Sequence, residues 1–296
     1  MDFKNRLKKY QDLVNNELER YFLEGNVPEK VLNESMRYSL LAGGKRLRPI
    51  LMIATYKLFD DNYMKCMPYA IALEMVHNFS LIHDDLPGID NDDFRHGKQT
   101  NHKKYNEATA ILAGDGLLNN AYLIISNDLK EEKNKDLLDL KLNIFGEFAN
   151  AISRMIIGEY IDTELEGKQI DDFLLEYIHT NKTGALLKYP VRVGAILGGA
   201  NEGELDSLTK YASNIGIAFQ IKDDILNEEG DEKIVGKPVG NDREMQKCTY
   251  VSKYGIEGAK EKLYETIKDA KMCLKYFGER AEFLVEMADY IENRNK

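Results

Sequence analysis

The stretch that decides the fold class runs from Tyr69 to Asp85 and reads YAIALEMVHNFSLIHDD. His77, Leu81 and Asp84 recur there at i, i+4 and i+7, the spacing that puts side chains on one face of an α-helix. Comparable periodicity runs through Leu32–Leu41, Ala108–Ile125, Leu142–Leu165, Leu174–Leu197, Leu205–Leu226 and Ala259–Phe277. Strict two-residue alternation between turn signals is scarce, so strands are not expected. Prolines are few, and Pro49, Pro87 and Pro238 are read as marking helix ends. No fixed-period repeat or low-complexity linker breaks the pattern. The reading is an all-α chain: one large helical bundle in a single domain over residues 1–296.

Two stretches read as connections. Lys130–Lys135 is a charged, solvated link, and Asn227–Lys247, rich in Gly, Asp, Glu and Lys, reads as a lid over a site. The formal net charge of −10 argues against nucleic acid, whose phosphates call for a basic surface. It leaves room for phosphate ligands whose charge is met by divalent ions. Three scattered cysteines suggest neither a disulfide framework nor a zinc site. The charged start, MDFKNRLKKY, lacks a signal core, and the apolar stretch around Ala185–Ala200 is broken by Lys188, Pro190 and Arg192. A soluble, cytoplasmic protein with no membrane partner is expected.

Chemistry concentrates in two acidic clusters. The first, Asp84-Asp85 followed by Asp90, Asn91, Asp92 and Asp93, lies at the end of the apolar helix. Carboxylates at a helix C-terminus oppose its dipole and call for positive charge nearby. Hard oxygen donors without Cys or an HExxH pattern favour Mg²⁺ over zinc. Six residues separate Asp84 from Asp90, so they share a site only if Pro87-Gly88 ends the helix and turns the chain back. The second cluster sets Gln220, Asp223, Asp224 and Asn227 on one helix face. Basic candidates are Lys45, Arg46 and Arg48 after the Gly43-Gly44 pair, then Arg95, Lys182 and Lys237.

Together these strings resemble the trans-isoprenyl diphosphate synthases, and within them the bacterial farnesyl diphosphate synthases. They are GGKRLRP (Gly43–Pro49), SLIHDDLPGIDNDDFRHG (Ser80–Gly97), TAILAGD (Thr109–Asp115), KTG (Lys182–Gly184), FQIKDDILNEEGD (Phe219–Asp231) and GKP (Gly236–Pro238). The resemblance implies an isoprenoid synthase-like helical fold around a central cavity. It implies condensation of an allylic diphosphate, dimethylallyl or geranyl, with isopentenyl diphosphate. By position, Asp84, Asp90 and Asp223 would be the main metal ligands, with Asp85 and Asp224 in support. Three Mg²⁺ ions, or Mn²⁺ in their place, would bind with the diphosphate. Arg95, Lys182, Thr183, Gln220 and Lys237 would hold the allylic diphosphate, and Lys45, Arg48 and His77 isopentenyl diphosphate. Phe79, with Ser80, would floor the cavity and stop growth at fifteen carbons. A homodimer is also implied.

Three positions depart from the pattern that the resemblance leads one to expect: Asn227 for Asp, His96 for Arg and Glu159 for Gln. They leave as rivals a geranylgeranyl (C20) synthase and a weakly catalytic regulatory subunit of a heteromer. A terpene cyclase would have no use for the Lys45–Arg48 cations.

Overall fold

The computed structural model describes residues 2–21, 27–229 and 248–295. The described chain is helical apart from short turns and one two-stranded hairpin. Its helices are α1 (Phe3–Glu19), α2 (Lys30–Leu40), α3 (Leu47–Tyr56), α4 (Met67–Asp84), α5 (Asn101–Lys104), α6 (Glu107–Glu131), α7 (Lys135–Glu164), α8 (Asp172–His179), α9 (Ala185–Gly198), α10 (Glu202–Glu229), α11 (Tyr250–Cys273) and α12 (Glu282–Asn293). The contacts gather the chain into two compact units, Met1–Ile53 with Met64–Phe145, and Ala54–Tyr63 with Gly146–Lys296.

Local chemistry sets the helix starts. Asn106 accepts from the Thr109 N–H at 2.8 Å, and Asp171 from the Leu174 N–H at 2.8 Å. Thr249 and Ser252 form a reciprocal capping box at α11. Such caps contribute about 1 kcal/mol each. Pro49 stands in the first turn of α3 instead of ending a helix, because a missing N–H costs nothing there. The expected link Lys130–Lys135 narrows to residues 132–134, since α6 runs to Glu131 and α7 starts at Lys135.

In the first unit, α4 is buried on nearly every face, from Met67 through Ile82, as expected of a helix apolar all round. Leu73 has no exposed surface, and truncating such a residue to Ala costs about 2–5 kcal/mol. Glycines let α6 approach its neighbours. A Cβ on Gly114 would meet the His83 ring at 2.3 Å, and one on Gly116 would meet Met36 Sδ at 2.7 Å. Ala110, Ala113, Leu117, Ala121, Ile124 and Ile125 form the packing face of α6, while Ile111, Leu112 and Leu123 are exposed; the helix is long and apolar enough by composition to cross a membrane.

The second unit is built on α10. Tyr211 is wholly buried on it and donates its hydroxyl to the Leu284 carbonyl of α12 at 2.7 Å. The repeat read as one helix from Leu174 to Leu197 divides into α8, a π-turn at Thr180–Gly184 and α9. A Cβ on Gly158 would sit 2.2 Å from the Lys182 nitrogen, so α7 lies directly against that turn.

Candidate active site

The first aspartate cluster has the turn that its spacing demanded. Helix α4 ends at Asp84, and the N–H of Asp90 returns to donate to the Asp84 carbonyl at 2.8 Å. A second main-chain bond, from Asn91 N–H to the Leu86 carbonyl at 3.1 Å, closes the loop. The left-handed residue here is Asn91, with φ of 52°, and not Gly88. Asn tolerates that region better than most residues.

The positive charge expected near these carboxylates comes from Arg95. It approaches Oδ1 of Asp85 with Nε at 2.7 Å and Nη2 at 2.6 Å. Asp85 is buried, and burial pushes its carboxyl up to about 6 even though Arg95 pulls the other way. Asp85 and Arg95, expected to serve metal and diphosphate respectively, thus hold each other. Arg95 is positioned by the hairpin Phe94–Arg95 with Lys98–Gln99, whose two-residue turn has φ of 52° at His96 and 74° at Gly97.

Of the three cations after Gly43-Gly44, Arg46 is structural. It is buried and donates to Glu74 at 2.8 Å, to the Leu40 carbonyl at 2.6 Å and to Asn15 at 2.9 Å. These bonds hold it at φ of 53° and fix the loop that carries Lys45 and Arg48. Around this loop the field is strongly positive. His77 is held neutral, first by burial and then by Arg48, Arg95, His96 and Arg46. The His96 imidazole is pushed down to about 4 by surrounding protein, then by Arg95, Arg46 and Lys45. It therefore adds no charge near neutral pH.

Phe79 is buried and sets its ring edge-on to His83, with centroids 4.8 Å apart. Ser80 donates its hydroxyl to the His77 carbonyl at 2.9 Å.

The second cluster lies in the other unit and divides its labour. Thr183 donates to Gln220 at 3.0 Å, and Gln220 donates to Oδ1 of Asp224 at 2.9 Å. Asp224 is buried and also accepts from the Tyr250 N–H at 2.8 Å. Asp223 pairs with Arg294 at 2.5 Å. Asn227 is buried too, where a neutral amide costs less to desolvate than the carboxylate expected there.

Lys182, on the π-turn, is clamped by Glu159 at 2.9 Å and Asp162 at 2.6 Å. The departure at Glu159 thus has a structural outcome, a second carboxylate on the same ammonium. His179, just before the turn, is buried and stacks on Tyr250 with centroids 5.2 Å apart. Neither ring nitrogen has a hydrogen-bond partner among the described residues, and burial pushes the imidazole down to about 4. Lys237 and residues 230–247 of the expected lid lie outside the described residues.

Sequence reasoning passed over Glu74, Asp162, Tyr250 and Arg294. Only Asp162 carried a usable signal, being three residues from Glu159 on one helix face.

Among the described residues no three acidic, His or Cys side chains converge into a ready-made metal cage. Mg²⁺ does not need one, because it binds through one or two carboxylates, retained waters and substrate phosphates. The donors here are carboxylate oxygens, with Asp84 and Asp90 tied together by the backbone, and they fit an ion that arrives with a diphosphate.

Helical content and these motifs define an isoprenoid synthase-like fold. The crystal structure of an FPP/GFPP synthase from Zymomonas mobilis superposes with a TM-score of 0.86, at 33% identity and 98% coverage of both chains. The polyprenyl synthetase family model matches residues 29–279, and the chain belongs to that family. It is 44% identical over 269 residues to the farnesyl diphosphate synthase of Geobacillus stearothermophilus, covering 91% of this chain and 90% of that one. It is 42% identical over 293 residues to the geranylgeranyl diphosphate synthase of Cyanophora paradoxa, covering 98% and 95%.

Proposed function

We propose that this chain is a trans-prenyltransferase that joins isopentenyl diphosphate to dimethylallyl or geranyl diphosphate and releases farnesyl diphosphate. The observation that carries this reading is the turn that brings Asp90 back to the end of α4 at Asp84, in a chain of the polyprenyl synthetase family. Asp84, Asp90 and Asp223 would be Mg²⁺ ligands, with Asp85 and Asp224 in support. When bound, Mg²⁺ supplies positive charge that stabilises a departing diphosphate.

By their place in the family's motifs, Arg95, Lys182, Thr183, Gln220 and Lys237 are each assigned to the allylic diphosphate. Lys182 adds a compact charge where negative charge builds as the allylic C–O bond breaks. Lys45 and Arg48 would grip isopentenyl diphosphate beside the neutral His77 and orient its double bond toward the allylic cation. Loss of a proton from the joined product then restores a double bond, with diphosphate as the base. No protein nucleophile takes part.

The reading includes one polyprenyl synthase domain over residues 1–296, a cytoplasmic location and a homodimer. Exposed apolar residues on α6, Leu112 and Leu123, support the dimer, which light scattering of the purified protein would test. Incubation with Mg²⁺, isopentenyl diphosphate and each allylic primer should accumulate C15 product, sized by chromatography. Predominant C20 product would replace the product assignment, and inactivity with every primer would overturn the reading.

A further inference from the structure

Asp223 and Arg294 stand 71 residues apart in sequence, yet Nη2 of Arg294 lies 2.5 Å from Asp223 Oδ1. The guanidinium is not a passing surface partner. Only 3% of the Arg294 side chain is exposed, Nη2 also donates to the Phe219 carbonyl at 3.1 Å, and the guanidinium lies 4.1 Å from the Phe219 ring centroid. Phe219 and Asp223 are four residues apart and so share a face of α10. Arg294 follows α12, which is anchored to α10 through Tyr211 and Leu284. A ring face, a carbonyl and a carboxylate thus hold one permanent cation.

The Asp223 side chain keeps 42% of its surface exposed, and a carboxylate has a second oxygen to offer. A divalent ion at that oxygen would feel the guanidinium's positive charge as well as the carboxylate's negative charge. The first offsets part of the second.

We propose that Arg294 is the resident counter-cation of Asp223, which weakens the loading of a lone divalent ion there and makes tight loading depend on the negative charge of a bound diphosphate. The proposal rests on Asp223 being a metal ligand. It makes Arg294 a residue that sets the order of binding without touching substrate.

The test is Mn²⁺ binding followed by electron paramagnetic resonance, with and without inorganic pyrophosphate. Wild-type protein should bind Mn²⁺ tightly through Asp223 only when pyrophosphate is present, and Asp223→Asn should reduce that binding. Arg294→Gln, which keeps an amide donor, should bind an ion without pyrophosphate on the order of tenfold more tightly than wild type. The gain should vanish in the Arg294→Gln/Asp223→Asn double variant. Unchanged or weaker pyrophosphate-free binding in a folded Arg294→Gln protein would overturn the proposal. A pyrophosphate-dependent Mn²⁺ stoichiometry and affinity left unchanged by Asp223→Asn would instead remove the metal assignment of Asp223. Melting temperatures check folding, and Arg294→Lys, which retains the charge, should behave like wild type.

Discussion

The main-chain N–H of Tyr250 donates to Oδ2 of Asp224 at 2.8 Å, while Gln220 occupies Oδ1 at 2.9 Å. A buried carboxylate at the first turn of α11 suits the positive end of that helix's dipole. Two adjacent aspartates therefore differ in kind: Asp224 holds one helix to another, and Asp223 faces outward. Replacing Asp224 by Ala leaves a buried N–H unpaired and should cost about 1–3 kcal/mol. Asp224→Asn keeps one acceptor and should lose less. Thermal melts of the two variants would measure the difference, and equal loss would contradict the anchoring role.

Gly114 should not tolerate a side chain. Its Cβ would fall 2.3 Å from His83 Nε2, which lies 3.1 Å from the Ile111 carbonyl. Gly114→Ala should lower stability by about 1–3 kcal/mol through overpacking. His83→Ala in the same chain should restore much of the loss. A double-mutant cycle on melting temperature checks the coupling, and additive effects would show that the ring is not the obstacle.

The acid response should carry a signature of His179. Its folded-state pKa, about 4, lies below the ordinary 6.5, so between those values the unfolded chain binds the extra proton. Stability from this residue is present above pH 6.5 and lost as pH falls toward 4, by on the order of 3 kcal/mol at most. Asp85, raised from 3.8 to about 6, acts in the opposite sense across an overlapping range. The test is therefore the difference between wild type and His179→Phe, which retains the stack on Tyr250. The variant should lose less stability between pH 6.5 and 4, and parallel pH profiles would contradict this.

Phe79 should limit product length. It is buried on α4, five residues before Asp84. Phe79→Ala should yield products longer than C15 in the chromatographic assay, and an unchanged product spectrum would remove Phe79 from that role.

The apolar run Tyr69–Ile82 made α4 legible, and Pro87-Gly88 made its end legible, because both depend on neighbours within a few residues. The turn back to Asp84 was readable as a requirement, although Asn91 supplies its left-handed residue. The Arg46–Glu74, Asp224–Tyr250 and Arg294–Asp223 pairs were not readable. Each joins positions 26 to 71 residues apart, and nothing local distinguishes a buried Arg from a surface one. For the same reason Asp223 and Asp224 looked alike in sequence. Their difference lies in what returns from later in the chain to meet them.

The π-turn at Thr180–Gly184 makes the site sensitive to chain length as well as to residue identity. It is equivalent to one residue inserted into an otherwise continuous α-helix. Deleting a residue there other than Lys182 would let α8 and α9 merge into one regular α-helix and remove the bulge that presents Lys182. No side chain of the clamp would have changed, yet the Lys182 ammonium would be carried away from Glu159 and Asp162. A one-codon deletion in this segment should therefore be more damaging than most substitutions within it.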